Sequence, residues 1–247
     1  EALNHVSFLS DWAPKNVELP NLTEPKPGDY TKVYLMDKVG APQSEIRIGY
    51  VSDLSYDATG EYFKTTLMNY SLGGAFNSRI NLNLREDKGW TYGARSGFSG
   101  NDRGSQFTAS AGIKADATDS SVVEFMKEIK GFQENGITED ELSFMRNSIG
   151  QRDARRYETP FQKAGFLGNI IRYDLDGSYV DTQADIIKNI SREEINTLAQ
   201  KHLHTDNIYI LVVGDGATNR DKLKALGYEV VDVTEKGDII EPVKEGN

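Results

Sequence analysis

The sequence of 247 residues contains no cysteine and only three histidines, and both shortages restrict its chemistry. Without cysteine the chain has neither a disulfide framework nor a thiolate site. His5, His202 and His204 form neither H-x-x-E-H nor H-E-x-x-H, the helical patterns that place two imidazoles on one metal. His202 lies on the apolar stripe of a predicted helix, which favours a core or capping role. We therefore expect no metal site and no cofactor in this chain.

Long apolar runs and an excess of positive charge are also missing. No stretch reaches the roughly 18 apolar residues of a membrane-spanning helix, so we expect no membrane span. The 28 basic and 38 acidic residues give a net charge of −10, which argues against nucleic acid as a partner. The segment "VVGDGATN" (212–219) fails the dinucleotide pattern at its last position and predicts a strand-to-helix turn. The run "RDARRYE" (152–158) predicts a solvated helix face.

Composition divides the chain into three parts. Residues 1–31 are polar, hold most of the prolines and predict an extended lead-in or linker. Residues 32–235 alternate between strand and helix patterns without an internal boundary and predict one domain. Residues 236–247 predict a polar tail. Because the chain begins at Glu1 without a methionine, we expect it to be a segment of a longer protein.

Within the domain, strands and helices follow one another in groups. Two strand patterns flank a turn at Gly40, which predicts that these strands are neighbours. A helix ending at Gly73-Gly74, a short helix and a hairpin follow; Thr118 is expected to cap the next helix. Capping boxes at 138–141 and 191–194 open two more helices, the first with a break at Pro160, and a buried strand, a short helix and a last strand close the domain. This order favours an α+β fold, with helices packed on one face of a mostly antiparallel sheet.

The run "REDKGWTY" (85–92) is the strongest candidate for a functional site. A helix ending near Asp87, a tight turn at Gly89 and a strand starting at Thr91 would bring Arg85 and Tyr92 to one edge of the sheet. A guanidinium and a phenol there are suitable donors for a peptide carbonyl or an oxyanion. The alternative is that Arg85 caps its helix and Tyr92 packs in the sheet.

The longer run "LGGAFNSRINLNLREDKGWTYGA" resembles the signature of the non-metal-binding, C-terminal type half of pitrilysin/insulinase-type zinc peptidases. That family includes the mitochondrial processing peptidase and bacterial two-domain relatives. The segments "GAPQSEIRIGY", "GITEDEL" and "SREEINTLAQKHLHTDNIYILVVGD" extend the resemblance from about Val33 to Asp215. The residues that match the signature are Leu72, Gly73, Gly74, Ser78, Arg79, Arg85, Glu86, Gly89 and Tyr92.

The resemblance implies one half of a clam-shell metallopeptidase, closed around a chamber opposite a homologous half that carries zinc. That half would lie upstream in the same polypeptide or on a separate subunit. Arg85 and Tyr92 would contact the backbone of an extended peptide substrate, which in this family adds a strand to a sheet edge. Because the metal motif is absent, we expect the segment to be inactive alone, with zinc in the partner half.

Two hypotheses follow from the resemblance. In the first, the chain is the substrate-binding, non-catalytic half of a zinc metalloendopeptidase. In the second, it is a catalytically inert scaffold or binding module of the same fold. The absence of cysteine and the acidic composition fit a bacterial periplasm and a cytoplasm equally, so the location stays unknown, and we favour the bacterial periplasm or cell envelope.

Overall fold

A computed structural model describes Glu18 and residues 29–101, 104–153 and 158–241. The lead-in predicted for 1–31 falls mostly outside these residues. So do half of the tail predicted for 236–247 and most of the charged run 152–158. The proposed domain bounds at 32 and 235 stay a prediction.

Six strands form one mixed sheet in the order β3-β4-β2-β5-β1-β6. The strands are β1 (Lys32–Asp37), β2 (Gln43–Ser52), β3 (Thr91–Asn101), β4 (Gly104–Lys114), β5 (Tyr209–Gly214) and β6 (Glu229–Asp232). The pairs β3-β4, β4-β2 and β2-β5 are antiparallel, whereas β5-β1 and β1-β6 are parallel. The predicted α+β class with a mostly antiparallel sheet is confirmed.

Helices connect β2 to β3, β4 to β5 and β5 to β6. They are α1 (Glu61–Asn69), α2 (Arg79–Asn81), α3 (Thr118–Asn135), α4 (Glu139–Asp153), α5 (Pro160–Tyr173), α6 (Tyr179–Asn189), α7 (Arg192–His202) and α8 (Gly216–Ala225). Wider helical turns extend α1 through Tyr70–Gly74 and α2 through Leu82–Asp87. Helix α6 has no counterpart in the sequence prediction.

The predicted pairing of β1 with β2 across the Gly40 turn is wrong. Strand β5 lies between them, parallel to β1 and antiparallel to β2. Ile210 and Val212 of β5 are fully buried there. A central strand with two hydrogen-bonded neighbours and a buried face is stabilised more than a β1-β2 hairpin with an exposed edge.

The core lies between the helices and one face of the sheet. Ile46 and Ile48 of β2 point into it, as do Phe125, Ile129 and Phe132 of α3, all fully buried. The intervening residues of β2 lie on the opposite, more exposed face. The predicted packing of helices on one face is therefore confirmed, and the other face is free of helices within the described part of the chain.

Local capping signals determine where several helices begin. Thr138 and Glu141 exchange backbone and side-chain hydrogen bonds of 2.8 and 3.2 Å before α4, and Ser191 forms a similar capping box with Glu194. Pro160 begins α5, as the predicted break requires. The expected Thr118 cap is wrong, because Ala117 is the N-cap of α3 and makes no side-chain cap hydrogen bond. The Thr118 hydroxyl instead donates to the carbonyl of Ala115 and shares a hydrogen bond with the Ser44 hydroxyl in the core.

Candidate functional site

The helix-turn-strand geometry expected around "REDKGWTY" is present. The helical segment ends at Asp87, Gly89 adopts φ +65°, and β3 begins at Thr91. The N–H of Gly89 donates to the carbonyl of Arg85 at 3.1 Å. The N–H groups of Lys88 and Trp90 likewise donate to the carbonyls of Asn83 and Leu84, so none of these three carbonyls requires the Arg85 side chain as a cap.

Gly73 brings the segment before α2 into close contact with the edge strand. A Cβ atom at Gly73 would lie 2.4 Å from the backbone nitrogen of Ser96 on β3, far inside van der Waals contact. Only glycine permits this approach. The double glycine of the signature thus both ends the first helical segment and seats it against β3.

The Arg85 side chain packs over an aromatic ring and keeps an unpaired donor. Its guanidinium carbon lies 4.3 Å from the centre of the Phe76 ring, a cation–π contact. Nη1 lies 3.3 Å from Oε1 of Glu86 in an ion pair. That contact lacks hydrogen-bond geometry, and Nη1 is buried without a hydrogen-bond partner in the described structure. Nη1 is thus a donor whose hydrogen-bonding capacity no described residue uses.

Tyr92 projects into solvent from a β-bulge. Thr91 pairs with Ile113 and Ala94 with Ala111, so Tyr92 and Gly93 together oppose the single residue between those partners. The Tyr92 side chain is 92% exposed. The alternative in which Tyr92 packs in the sheet is therefore wrong.

Asn81 holds the bulge in place, and the sequence reasoning did not identify it. Its amide oxygen accepts the N–H of Ala94 at 2.9 Å, and its amide nitrogen donates to the carbonyl of Phe76 at 2.7 Å. The residue is 3% exposed. One buried amide thus joins the strand that carries Tyr92 to the residue under Arg85. A polar residue within the apolar pattern of "RINLNL" was the available signal.

A groove of about 520 Å³ runs beside the bulge. Phe76, Tyr92, Arg95 and Ser110 are among the residues that line it. Tyr92 therefore lies at the groove. Arg85 does not line it, but packs against Phe76, which forms part of the groove wall. No described contact joins Arg85 and Tyr92 directly.

Arg79, the other arginine of the signature, has a structural role. Its guanidinium forms a bidentate ion pair with Glu141 at 2.6 and 2.7 Å and donates to the carbonyl of Gly136 at 2.8 Å. These contacts join α2 to the end of α3 and the start of α4. Of the two arginines of the signature, Arg85 is therefore the one with a buried donor that has no hydrogen-bond partner among the described residues.

The outer edge of β3 is already occupied by side chains. Four backbone groups that point away from β4 have hydrogen-bond partners on the neighbouring helical segments. These are Ala94 N–H with Asn81, Ser96 C=O with Asn69, and Phe98 C=O and Gly100 N–H with the Tyr62 hydroxyl. An extended peptide cannot add to β3 there without displacing them.

The histidines lie elsewhere. His202 is 3% exposed at the end of α7 and contacts Glu61 through Nε2, as expected of a core histidine. Burial, then the nearby His202, lowers the pKa of His204. Both residues line cavities away from the bulge, and His5 is outside the described residues. Within the described ranges, no group of three histidine, cysteine or acidic side chains is arranged to hold a metal. Nor is any helix there long and apolar enough to cross a membrane.

With this fold and site established, comparison with known proteins identifies the class. Residues 2–149 match the peptidase M16 inactive domain, and the chain belongs to that family. The fold resembles a peptidase M16 inactive domain from Pseudomonas fluorescens, with a TM-score of 0.73 and 22% identity over 87% of this chain and 50% of that one.

Two further relatives differ in what their names state. The periplasmic protease PqqL from Escherichia coli matches with a TM-score of 0.63 and 16% identity, over 87% of this chain and 24% of that one. The non-peptidase homolog YmxG from Helicobacter pylori is 26% identical over 67% of this chain and 37% of the relative. The chain thus spans half or less of the length of each of these proteins.

Proposed function

We propose that this chain is the substrate-binding, non-catalytic half of a zinc metalloendopeptidase. A homologous zinc-bearing half, upstream in the same polypeptide or on another subunit, would close the chamber over an extended peptide. The metal would polarise the scissile carbonyl and activate water in that half. This chain would supply Arg85 and Tyr92 as donors to the peptide backbone.

The unpaired Nη1 of Arg85 is the observation that carries this proposal. Arg79 directs its donors to carboxylate and carbonyl oxygens with hydrogen-bond geometry. Arg85 instead has a buried donor without a hydrogen-bond partner in the described structure. Tyr92 adds an exposed phenol at the adjoining groove. Neither feature improves the stability of the isolated chain, and both suit a bound peptide.

The test is peptide hydrolysis by this chain assembled with its zinc-bearing half. The chain alone should be inactive. In the assembly, Arg85→Ala should lower kcat/KM about 100-fold, the lower end of the range for loss of one preorganised donor. Tyr92→Phe should lower it by about tenfold, because the exposed phenol is a less preorganised donor. Arg192→Ala, which removes a charge ion-paired with Glu139, is the matched control and should leave kcat/KM within twofold. An unchanged kcat/KM in Arg85→Ala would contradict the proposal.

The second candidate is a catalytically inert scaffold of the same fold. The relative named a non-peptidase homolog favours it. The occupied edge of β3 also favours it, because it blocks one route for adding a substrate strand. The reading frame around this segment separates the two functions. An H-x-x-E-H with a later glutamate, upstream or in a neighbouring gene, supports the peptidase, and its absence from both supports the scaffold.

A bacterial periplasmic location is proposed with the peptidase function. Its support is the fold similarity to a protein described as a periplasmic protease. Cell fractionation, with antibody detection of the protein beside periplasmic and cytoplasmic markers, tests it. Recovery with the cytoplasmic marker would contradict it.

A further inference from the structure

Two exposed arginines lie in one row on the face of the sheet that the helices leave open. Arg47 of β2 pairs with Ser110 of β4, and Ser110 pairs in turn with Arg95 of β3. Directly paired residues share a face, so the three side chains project in the same direction. Two strand spacings separate the arginine backbones by about 10 Å. We call these three residues the arginine row.

Neither arginine has a partner within the described chain. Arg47 and Arg95 are both exposed, and neither forms a hydrogen bond or ion pair with a described residue. The acidic group on the same face of β2 is Glu45, one row away, opposite Gly112. Two arginines against this one carboxylate leave a positive strip on a chain whose net charge is −10. Exposed arginines without partners on such an acidic protein suit an external anion.

The arginine row adjoins the candidate site. Arg95 and Ser110 line the same 520 Å³ groove as Tyr92. Because an arginine side chain is long and flexible, the two guanidinium groups can reach one carboxylate from either side of Ser110. The two oxygens of a carboxylate accept several hydrogen bonds, enough for both guanidinium groups and a hydroxyl.

We infer that the arginine row binds an acidic side chain of the extended peptide, and so gives this half a preference for substrates with a glutamate or aspartate. The inference rests on the proposed function and names its substrate class. Binding through the sheet face also agrees with the occupied edge of β3. Where backbone pairing is blocked, side chains of the sheet face are the groups that remain to contact a peptide.

Fluorescence anisotropy with the full 247-residue chain tests the inference. The probe is a labelled 12-residue peptide with blocked ends and one central glutamate, compared with the same peptide carrying glutamine. The chain should bind the glutamate peptide about tenfold more tightly at low salt. Arg47→Gln and Arg95→Gln should each reduce this ratio to about threefold, and the double variant should abolish it. Arg95→Lys, which keeps the charge, should retain most of the preference.

Arg192→Gln is the control, since it removes one positive charge from the start of α7. It should keep the tenfold ratio, and unchanged melting temperatures should show that every variant is folded. Equal binding of both peptides by the native chain, or a preference that survives in the double variant, overturns the inference while peptide binding stands. A third probe is the glutamine peptide with an unblocked C-terminus. Tighter binding of this probe than of the end-blocked glutamate peptide also overturns the inference, because the row would then bind a chain end and not a side chain. Failure to bind either peptide overturns the inference together with the proposed function.

Discussion

Loss of Arg79 should destabilise the fold, because this side chain joins three helical segments. Its bidentate pair with Glu141 is three-quarters buried, with 22% and 26% of the two side chains exposed. The guanidinium also packs 4.6 Å from the centre of the Phe132 ring. Breaking a fully buried pair costs about 3–5 kcal/mol, and partial exposure places Arg79→Met near the lower end, at about 3 kcal/mol. For a chain of this size that lowers Tm by about 6–12 °C.

A double-mutant cycle measures the pair itself. Glu141→Gln keeps an acceptor for the N–H of Thr138 and removes only the charge, so it isolates the ionic contribution. Chemical unfolding of the native chain, the two single variants and the double variant should give a coupling energy of about 2 kcal/mol at pH 7.

The coupling should also depend on pH in one direction. Burial raises the pKa of Glu141, but the hydrogen bonds from Arg79 and Thr138 outweigh it and the net pKa is lowered. The stabilisation is therefore fully present above the unfolded-state pKa of about 4.3 and is lost as pH falls through the lower folded-state value. A coupling energy below about 0.5 kcal/mol at pH 7, or one unchanged at pH 3, would refute this account.

Two further predictions concern stability. Gly73→Ala should lower the free energy of unfolding by about 1–3 kcal/mol in chemical unfolding, because its Cβ would overlap the backbone of Ser96. Gly97→Ala, which has open space around the new methyl group, should lower it by less than about 1 kcal/mol. Equal losses in the two variants would contradict the close approach at Gly73. The hydrogen bond from Lys201, together with His202, lowers the pKa of Glu61. The ionised Glu61 therefore stabilises the fold above about pH 4.3, and this stabilisation is lost on acidification. Glu61→Gln should remove it. This pair is half exposed, so thermal unfolding at pH 7 should show a loss of no more than about 1 kcal/mol, and a larger one would indicate that the buried His202 depends on it.

Features that depend on neighbouring residues could be predicted from the sequence. The capping boxes, the helix start at Pro160 and the turn at Gly89 each involve residues within a few positions of one another. The expected helix-turn-strand at Arg85 and Tyr92 followed from these signals. The Thr118 cap failed because a core hydroxyl, that of Ser44, competes for the same side chain.

Features that depend on distant residues could not be predicted in this way. The separation of β1 from β2 results from a strand that arrives near the end of the chain. The structural role of Arg79 requires Glu141, 62 positions away, and the bulge requires Asn81 to reach across to β3. Local periodicity contains no information about such partners, so the sequence did not reveal that Arg79 pairs with Glu141.

The position of β5 has a consequence for how the protein is made. The N–H of Ile208, just before β5, donates to the Thr31 hydroxyl, 177 positions earlier in the chain. During synthesis, β1 and one edge of β2 lack their central partner until β5 has left the ribosome. Because loop closure over that distance is slow, the antiparallel β2-β4-β3 part of the sheet and its helices can assemble first. Until β5 emerges, the unpaired edges of β1 and β2 expose backbone N–H and C=O groups. Aggregation during folding should therefore be most frequent immediately before β5 leaves the ribosome.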